Sequence, residues 1–142
     1  MTLKKLFILT IVVSLMSGMA YATDVTFQVM MSFQIDEGNF NPEGDRVVVR
    51  GSMNEWGGDA NELEAVEDGE NGLYAATFDL ATGDTGSVNY EYKFVIIPAE
   101  GDDRWESFDE NRVVEVGDEA VVIDPVWFDN REPVESSDVT FQ

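Results

Sequence analysis

Four side chains of this sequence are of the types that bind sugars, and they stand on three separate stretches. They are Trp56 in residues 51–56, Lys93 in residues 90–94, and Trp105 and Asn111 in residues 105–112. Flat indole faces cover the apolar faces of pyranose rings, whereas ammonium and amide groups hydrogen-bond to hydroxyl groups. The residue types therefore indicate a sugar-binding surface, provided that the fold brings the three stretches together.

Both tryptophans stand beside loops rather than inside alternating apolar runs. Trp56 precedes two glycines, and Trp105 follows an acidic turn at residues 101–103. A tryptophan in a small β-domain is more often a core residue than a ligand platform, so burial is the alternative interpretation for each. Lys93 is the only lysine after residue 5, and an ion pair with an acidic neighbour is its alternative role.

The composition excludes several classes of chemistry. The chain has no histidine and no cysteine, so zinc sites built on these residues, histidine-dependent catalysis and disulfides are all excluded. Carboxylates are abundant, but no spacing singles out a general acid and its partner base. We therefore predict a protein that is not an enzyme, with no cofactor and no metal site.

The charge balance is strongly acidic. The chain carries 8 Lys+Arg against 29 Asp+Glu, a formal net charge of −21. Such a surface repels nucleic acid and anionic lipid, but it does not repel a neutral polysaccharide. We predict no nucleic-acid partner, and the simplest role of the charge is to keep an exported domain in solution.

The N-terminus has the pattern of a secretory signal peptide. Lys4 and Lys5 form a positive region, residues 6–16 are an apolar run too short to span a bilayer, and residues 20–22 are a small-x-small cleavage site. We predict cleavage after Ala22, a secreted or cell-surface location, and no membrane association after cleavage. A retained membrane anchor is the alternative.

The remainder of the chain is rich in short alternating segments, with turn signals between them. The predicted strands are residues 25–35, 46–50, 73–80, 88–96, 112–116, 119–123 and 126–128, and residues 62–67 are predicted as a single helical turn. About seven short strands without a long helix predict an all-β fold, an antiparallel immunoglobulin-like β-sandwich spanning residues 23–129.

The C-terminal end repeats the start of the predicted domain. Residues 138–142 read Asp-Val-Thr-Phe-Gln, as residues 24–28 do, and they follow a polar segment with Pro133. We interpret residues 130–142 as a linker and the start of a second copy of the domain. Chance identity, or a strand that adds to a neighbouring molecule, are the alternatives.

Taken in order, these segments resemble the starch-binding domain of family 20 carbohydrate-binding modules over about residues 24–124. The segments that carry the resemblance are residues 25–29, 47–52, Trp56, Leu63, 72–74, 90–94, 105–107 and 111–112. Residues 51–56 also resemble the related glycogen-binding modules of family 48.

The resemblance implies one glucan site. In it, Trp56, Trp105 and Lys93 match the family's two tryptophans and lysine, Asn111 matches its asparagine, and Glu106 is a weaker match. The family's second site uses tyrosines, whereas residues 36–45 here contain Phe40 and no tyrosine. A second site is therefore not predicted, and Tyr74 is assigned to packing.

The leading hypothesis is a secreted, non-catalytic module that binds starch- or glycogen-type α-glucans, including cyclodextrin. The alternative hypothesis is a repeated extracellular surface, adhesion or spacer module that has lost glucan binding. Further copies of the same domain are possible partners under both hypotheses.

Overall fold

The computed structural model describes residues 21–83 and 86–134. The core of the predicted signal peptide and the repeated segment 138–142 therefore lie outside the described residues. The structure therefore does not test the predictions of signal-peptide cleavage and of a second copy of the domain.

The described chain is built mainly from strands. In order they are β1 (Ala22–Met30), β2 (Arg46–Gly51), β3 (Glu62–Ala65), β4 (Leu73–Ala81), β5 (Val88–Ile97), β6 (Arg104–Trp105), β7 (Arg112–Val116), β8 (Val121–Val122) and β9 (Val126–Trp127). A short helix α1 (Ser32–Asp36) and two 3₁₀ turns, Glu70–Gly72 and Phe128–Asn130, complete the described elements. No helix in this part of the chain is both long and apolar enough to cross a membrane.

The strands form two sheets that share β3. One sheet contains β1, β4, β8 and β9, and the other contains β2, β5, β6 and β7. Leu63 in β3 pairs with β2, whereas the following residues Glu64 and Ala65 pair with β4, so β3 passes from one sheet to the other. The prediction of an all-β sandwich is confirmed.

The core lies between the inner faces of the two sheets. Alternate residues of β1, namely Val25, Phe27 and Val29, are fully buried, as are Phe94 and Ile96 of β5. Aromatic rings join the two layers: the Phe27 ring meets the ring of Tyr92 edge-on, with centroids 4.9 Å apart. Burial of alternate residues follows from the two-residue period of a strand.

Two local predictions are wrong. The first strand ends at Met30 and gives way to α1, although the alternation continues to Ile35. Met31 and Ile35 are four residues apart, so the same apolar pair suits one helical turn as well as a strand. Residues 62–67, predicted as a helical turn, contain β3 instead, because Leu63 is needed in the core and its neighbours pair with both sheets.

The C-terminal strands also depart from a purely antiparallel sandwich. Residues 119–123 and 126–128 each contribute only two residues to the sheet, and both β8 and β9 run parallel to β1. Phe128 leaves the sheet, starts the second 3₁₀ turn and is buried. The described residues form nine strands where about seven were expected, and the two strands that were not predicted are β3 and β6.

Candidate functional site

The two predicted platform residues lie side by side. The rings of Trp56 and Trp105 have centroids 6.5 Å apart and planes inclined by 35°. Trp105 keeps 40% of its surface exposed, and Trp56 is half-buried. Neither indole belongs to the core, so the structure removes the alternative in which they are packing residues.

The loop that carries Trp56 is tied to the end of β2. The Trp56 N–H donates to the Gly51 carbonyl at 2.9 Å. The Asn54 side chain accepts from the Gly51 N–H at 2.9 Å and donates to the Val49 carbonyl at 2.8 Å. Glu55 and Trp56 both have positive φ, 57° and 60°, a region that costs a non-glycine residue energy. The hydrogen bonds therefore hold an unfavourable backbone that presents the indole.

Trp105 is placed by a two-residue strand. In β6 it pairs with Val95 of β5, and the next residue, Glu106, donates its N–H to the Phe94 carbonyl at 3.2 Å. The Trp105 side chain thus stands at the outer face of β5, while the Phe94 ring is in the core. The approach of two distant loops to one face of β5 is what creates the platform.

Arg50 is a part of this surface that the sequence analysis did not identify. It is only 8% exposed, and its guanidinium carbon lies 5.3 Å from the centroid of the Trp105 ring. Its Nε donates to the Gly58 carbonyl and its Nη1 to Asp103 Oδ2, both at 2.8 Å. The only signal in the sequence is a charged residue next to Gly51 in a valine-rich strand, which does not by itself indicate a site.

Lys93 lies on the same outer face of the second sheet. It pairs with Arg50 across β2 and β5. Its ammonium group donates to the Phe108 carbonyl and stands 4.9 Å from the centroid of the Phe108 ring. Arg112 also approaches this ring, at 4.9 Å. An ammonium group has three donors, so the contact with Phe108 orients Lys93 and leaves donor capacity for a ligand.

Glu106 does not reach the surface. The residue is 2% exposed, and Arg112 binds its carboxylate in a bidentate ion pair, with Nε to Oε1 at 3.0 Å and Nη2 to Oε2 at 2.6 Å. The backbone N–H groups of Phe94 and Asp129 donate to it as well, each at 2.8 Å. Both carboxylate oxygens are hydrogen-bonded inside the protein. Glu106 therefore has an internal position and does not face the surface where a ligand could bind.

Asn111 is exposed and immediately precedes β7. The first residue of β7, Arg112, pairs with Tyr92, the neighbour of Lys93 in β5. This register places Asn111 at the end of the β5 segment that carries Lys93. Of the five predicted residues, the two tryptophans are in ring contact with each other. Lys93 lies in β5, Asn111 lies close to the same part of β5, and Glu106 is buried beneath this surface.

In the described part of the chain, no group of three or more Asp or Glu residues is placed to hold a metal ion. Burial raises the pKa of the Tyr92 phenol to about 12; Glu106 adds to this rise, and Arg112 partly offsets it. This phenol stays neutral under physiological conditions and acts as a core group.

Phe40 and Tyr74 are core residues. Phe40 is 2% exposed, and its ring meets Tyr74 edge-on with centroids 5.4 Å apart. Tyr74 is buried, and burial raises the pKa of its hydroxyl. The assignment of Tyr74 to packing is confirmed.

The profile of the starch-binding domain family matches residues 23–124. The chain belongs to this family. Starch-binding domains of this type bind carbohydrate and are not themselves catalytic. None of the curated proteins compared with the chain matches it.

Two solved structures with a similar fold are enzymes far longer than this chain. One is a glycoside hydrolase family 15 glucoamylase from Hypocrea jecorina, 24% identical with a TM-score of 0.55, and the match covers 75% of this chain and 17% of the enzyme. The other is a γ-CGTase from alkalophilic Bacillus clarkii, 18% identical with a TM-score of 0.54, covering 75% of this chain and 15% of the enzyme. At these identities the matches support the fold.

Proposed function

We propose that this starch-binding domain binds starch- or glycogen-type α-glucans on the surface formed by Trp56 and Trp105, without catalysing their cleavage. The observation that carries the proposal is the partly exposed indole pair, with ring centroids 6.5 Å apart. Two aromatic faces in this arrangement offer a continuous apolar surface to consecutive sugar rings. Lys93 and Asn111 supply hydrogen-bond donors for hydroxyl groups beside that surface.

The angle between the indoles favours an α-linked chain. An α-1,4-glucan turns from one ring to the next, whereas a β-1,4-glucan is a flat ribbon. The planes of the two indoles are inclined by 35°, so they match successive rings that are turned relative to each other. Cyclodextrin, which has the same linkage and a fixed curvature, is therefore the ligand of choice for a first measurement.

The binding is expected to be weak. The platform is open, and its contacts are limited to one or two sugar rings, so little area is desolvated. The association also loses translational and rotational freedom, which offsets much of the contact energy. A dissociation constant in the micromolar-to-millimolar range is expected.

The cellular context belongs to the same proposal. Lys4, Lys5 and the apolar run that follows support export, and a secreted domain would meet extracellular polysaccharide. The copy of residues 24–28 at residues 138–142 supports a neighbouring domain of the same type. The resemblance of residues 51–56 to glycogen-binding modules supports glycogen as a further ligand.

Replacement of Trp105 with alanine tests the proposal. We expect the purified protein to bind β-cyclodextrin in calorimetry, and Trp105→Ala to weaken binding by at least roughly thirtyfold, as for an aromatic hot spot. The melting temperature should change little, because a side chain that is 40% exposed leaves no closed cavity.

Val122→Ala is the matched control, since Val122 is an exposed apolar residue on β8. It should leave cyclodextrin binding unchanged. Equal binding by wild type and Trp105→Ala, or no binding by either, would contradict the proposal. The second outcome would favour the spacer or adhesion hypothesis.

A further inference from the structure

Arg50 is the residue that joins the two halves of the platform. Gly58, whose carbonyl accepts from Arg50 Nε, lies two residues after Trp56. Asp103, whose carboxylate accepts from Arg50 Nη1, lies two residues before Trp105. The same guanidinium stands over the Trp105 ring. One side chain therefore contacts both loops and one of the two indoles.

We propose that Arg50 is a positioning residue that sets the distance and angle between the Trp56 and Trp105 indoles. Its effect on indole geometry follows from the contacts of Arg50 alone. Its effect on glucan affinity rests on the proposed function. The two effects can be measured separately, so the failure of one does not hide the failure of the other.

The Trp56 loop needs such a tether. Three residues of this loop, Glu55, Trp56 and Gly58, have positive φ, and two of them are not glycines. A strained backbone of this kind persists only where its surroundings hold it. The Asn54 contacts hold the start of the loop against β2, whereas the Gly58 carbonyl, on the far side of Trp56, is held by Arg50.

The loop before Trp105 is also weakly held by secondary structure. β6 is only two residues long, and Gly101 with φ 97° precedes it. The contact of Asp103 with Arg50 is an ion pair at 2.8 Å, in which the arginine side chain is 10% exposed and the carboxylate 37%. Partial burial strengthens this pair relative to a fully exposed one.

The contacts of residue 50 require an arginine, and another cationic side chain cannot make all of them. A guanidinium is planar and carries five donors in a rigid fork, so it can bind two acceptors in its plane while its face stacks on an aromatic ring. A lysine ammonium is a point charge without a face. Lysine at position 50 could keep the ion pair with Asp103, but it would lose the stacked, two-acceptor geometry.

The consequence is pre-organisation. If the indoles already stand at the angle that a glucan requires, binding does not have to order two loops. Ordering a mobile interface side chain costs free energy when a ligand binds. The loss of Arg50 geometry should therefore weaken glucan binding by roughly three- to tenfold, without removing any group that contacts sugar.

The experiment compares Arg50→Lys with Arg46→Lys. Arg46 lies four residues earlier on β2 and forms a more exposed ion pair with Asp59 at 3.0 Å, which a lysine can keep. Two indoles this close couple electronically and give an exciton couplet in circular dichroism. The couplet of the sugar-free protein is the primary measurement, and the dissociation constant for β-cyclodextrin is the second.

We expect Arg50→Lys to decrease the couplet strongly and Arg46→Lys to preserve it. In a Trp56→Phe background, where the coupled pair is absent, Arg50→Lys should cause no comparable change. A couplet of wild-type size in Arg50→Lys overturns the positioning role. A changed couplet in a protein whose wild type does not bind cyclodextrin supports the role of Arg50 and contradicts the proposed function.

A second variant keeps the test valid if Arg50→Lys does not fold. Asp103→Ala keeps Arg50 and both tryptophans in the sequence, and removes only the contact that ties Arg50 to the Trp105 loop. It should reduce the couplet and weaken cyclodextrin binding in the same direction as Arg50→Lys. A wild-type couplet and wild-type affinity in Asp103→Ala overturn the proposal.

Discussion

Trp105 and Glu106 are neighbours in the chain and have opposite environments. The indole is 40% exposed at the platform, whereas the carboxylate is 2% exposed and bound by Arg112 and two backbone N–H groups. Successive residues of an extended segment point to opposite sides, so an exposed residue is followed here by an internal one. We infer that Glu106 supports the platform from beneath through the segment that carries Trp105.

Replacement of Glu106 with glutamine should destabilise the protein strongly. It leaves the Arg112 guanidinium, whose side chain is 13% exposed, without its charged partner. Removing one partner of a buried pair typically costs about 3–5 kcal/mol. Urea unfolding would measure the loss. Glu115→Gln, an exposed change on β7, is the control and should have little effect; equal midpoints for both variants would contradict this role of Glu106.

At the scale of elements, the end of β2 sets the geometry of the first loop. Gly51 pairs with Tyr92 of β5 and receives both a side-chain contact from Asn54 and a backbone contact from Trp56. A Cβ at this position would lie 2.1 Å from the Glu91 carbonyl oxygen and 2.8 Å from the Tyr92 Cβ. Only glycine allows the loop to leave the sheet here.

Gly51→Ala should therefore lower stability by at least about 1–3 kcal/mol, the range for overpacking. Gly57→Ala is the matched control, because the nearest atom to a Cβ at Gly57 is 4.0 Å away and its φ is not positive. Chemical denaturation of both variants provides the measurement. A Gly51→Ala protein as stable as Gly57→Ala would show that β2 and β5 can separate without cost.

A second element-scale effect lies between β1 and β4. Asp24 and Asp79 face each other in the ladder. The pKa of the Asp79 carboxyl is raised above its ordinary value. The largest cause is a hydrogen bond with the Asp24 side chain, and repulsion by the Asp24 charge and a loss of hydration contribute less. The folded protein thus binds a proton more tightly than the unfolded chain does.

The sign of the pH dependence follows from this shift. As pH rises from the ordinary carboxyl pKa through the raised pKa of Asp79, stability contributed by the shared proton is lost. Asp79→Asn should therefore be more stable than wild type at neutral pH, and this advantage should shrink as pH falls through that window. Urea midpoints between pH 3 and 7 test this, with exposed Asp124→Asn as the control for removing one charge. An equal gain in stability in both variants would contradict a specific effect of the Asp24–Asp79 pair.

At the scale of the whole molecule, the net charge dominates. A formal charge of −21 on a chain of 142 residues opposes the compact state by self-repulsion. Neutral sugar, in contrast, has no charge to interact with this field. Salt should therefore act on folding and on ligand binding in different ways.

We expect added sodium chloride, between about 0.01 and 0.5 M, to raise the urea midpoint because it shortens the range of charge repulsion. The dissociation constant for β-cyclodextrin should stay nearly constant over the same range. A midpoint that falls with salt would mean that ion pairs outweigh repulsion. Affinity that depends steeply on salt would contradict a ligand held by stacking and hydroxyl contacts.

The sequence by itself determined the sandwich and the main residues of the candidate surface. Strand alternation identified β2, β4, β5 and β7 almost to their ends, and β1 without its correct end, because half-buried strands require a two-residue pattern. Trp56 and Trp105 were recognised from their loop positions and from the resemblance to starch-binding domains. Both signals are local, so they can be read without knowledge of the fold.

Only the tertiary structure decided which polar groups lie at the candidate surface and which hold that surface in place. Glu106 and Arg50 carry no local signature of burial, because their environments are created by partners distant in sequence: Asp129 for Glu106 and Asp103 for Arg50. The extended conformation of β3 also depends on distant partners, because its residues pair with β2 of one sheet and with β4 of the other. Long-range partners of this kind become visible only when the chain is folded.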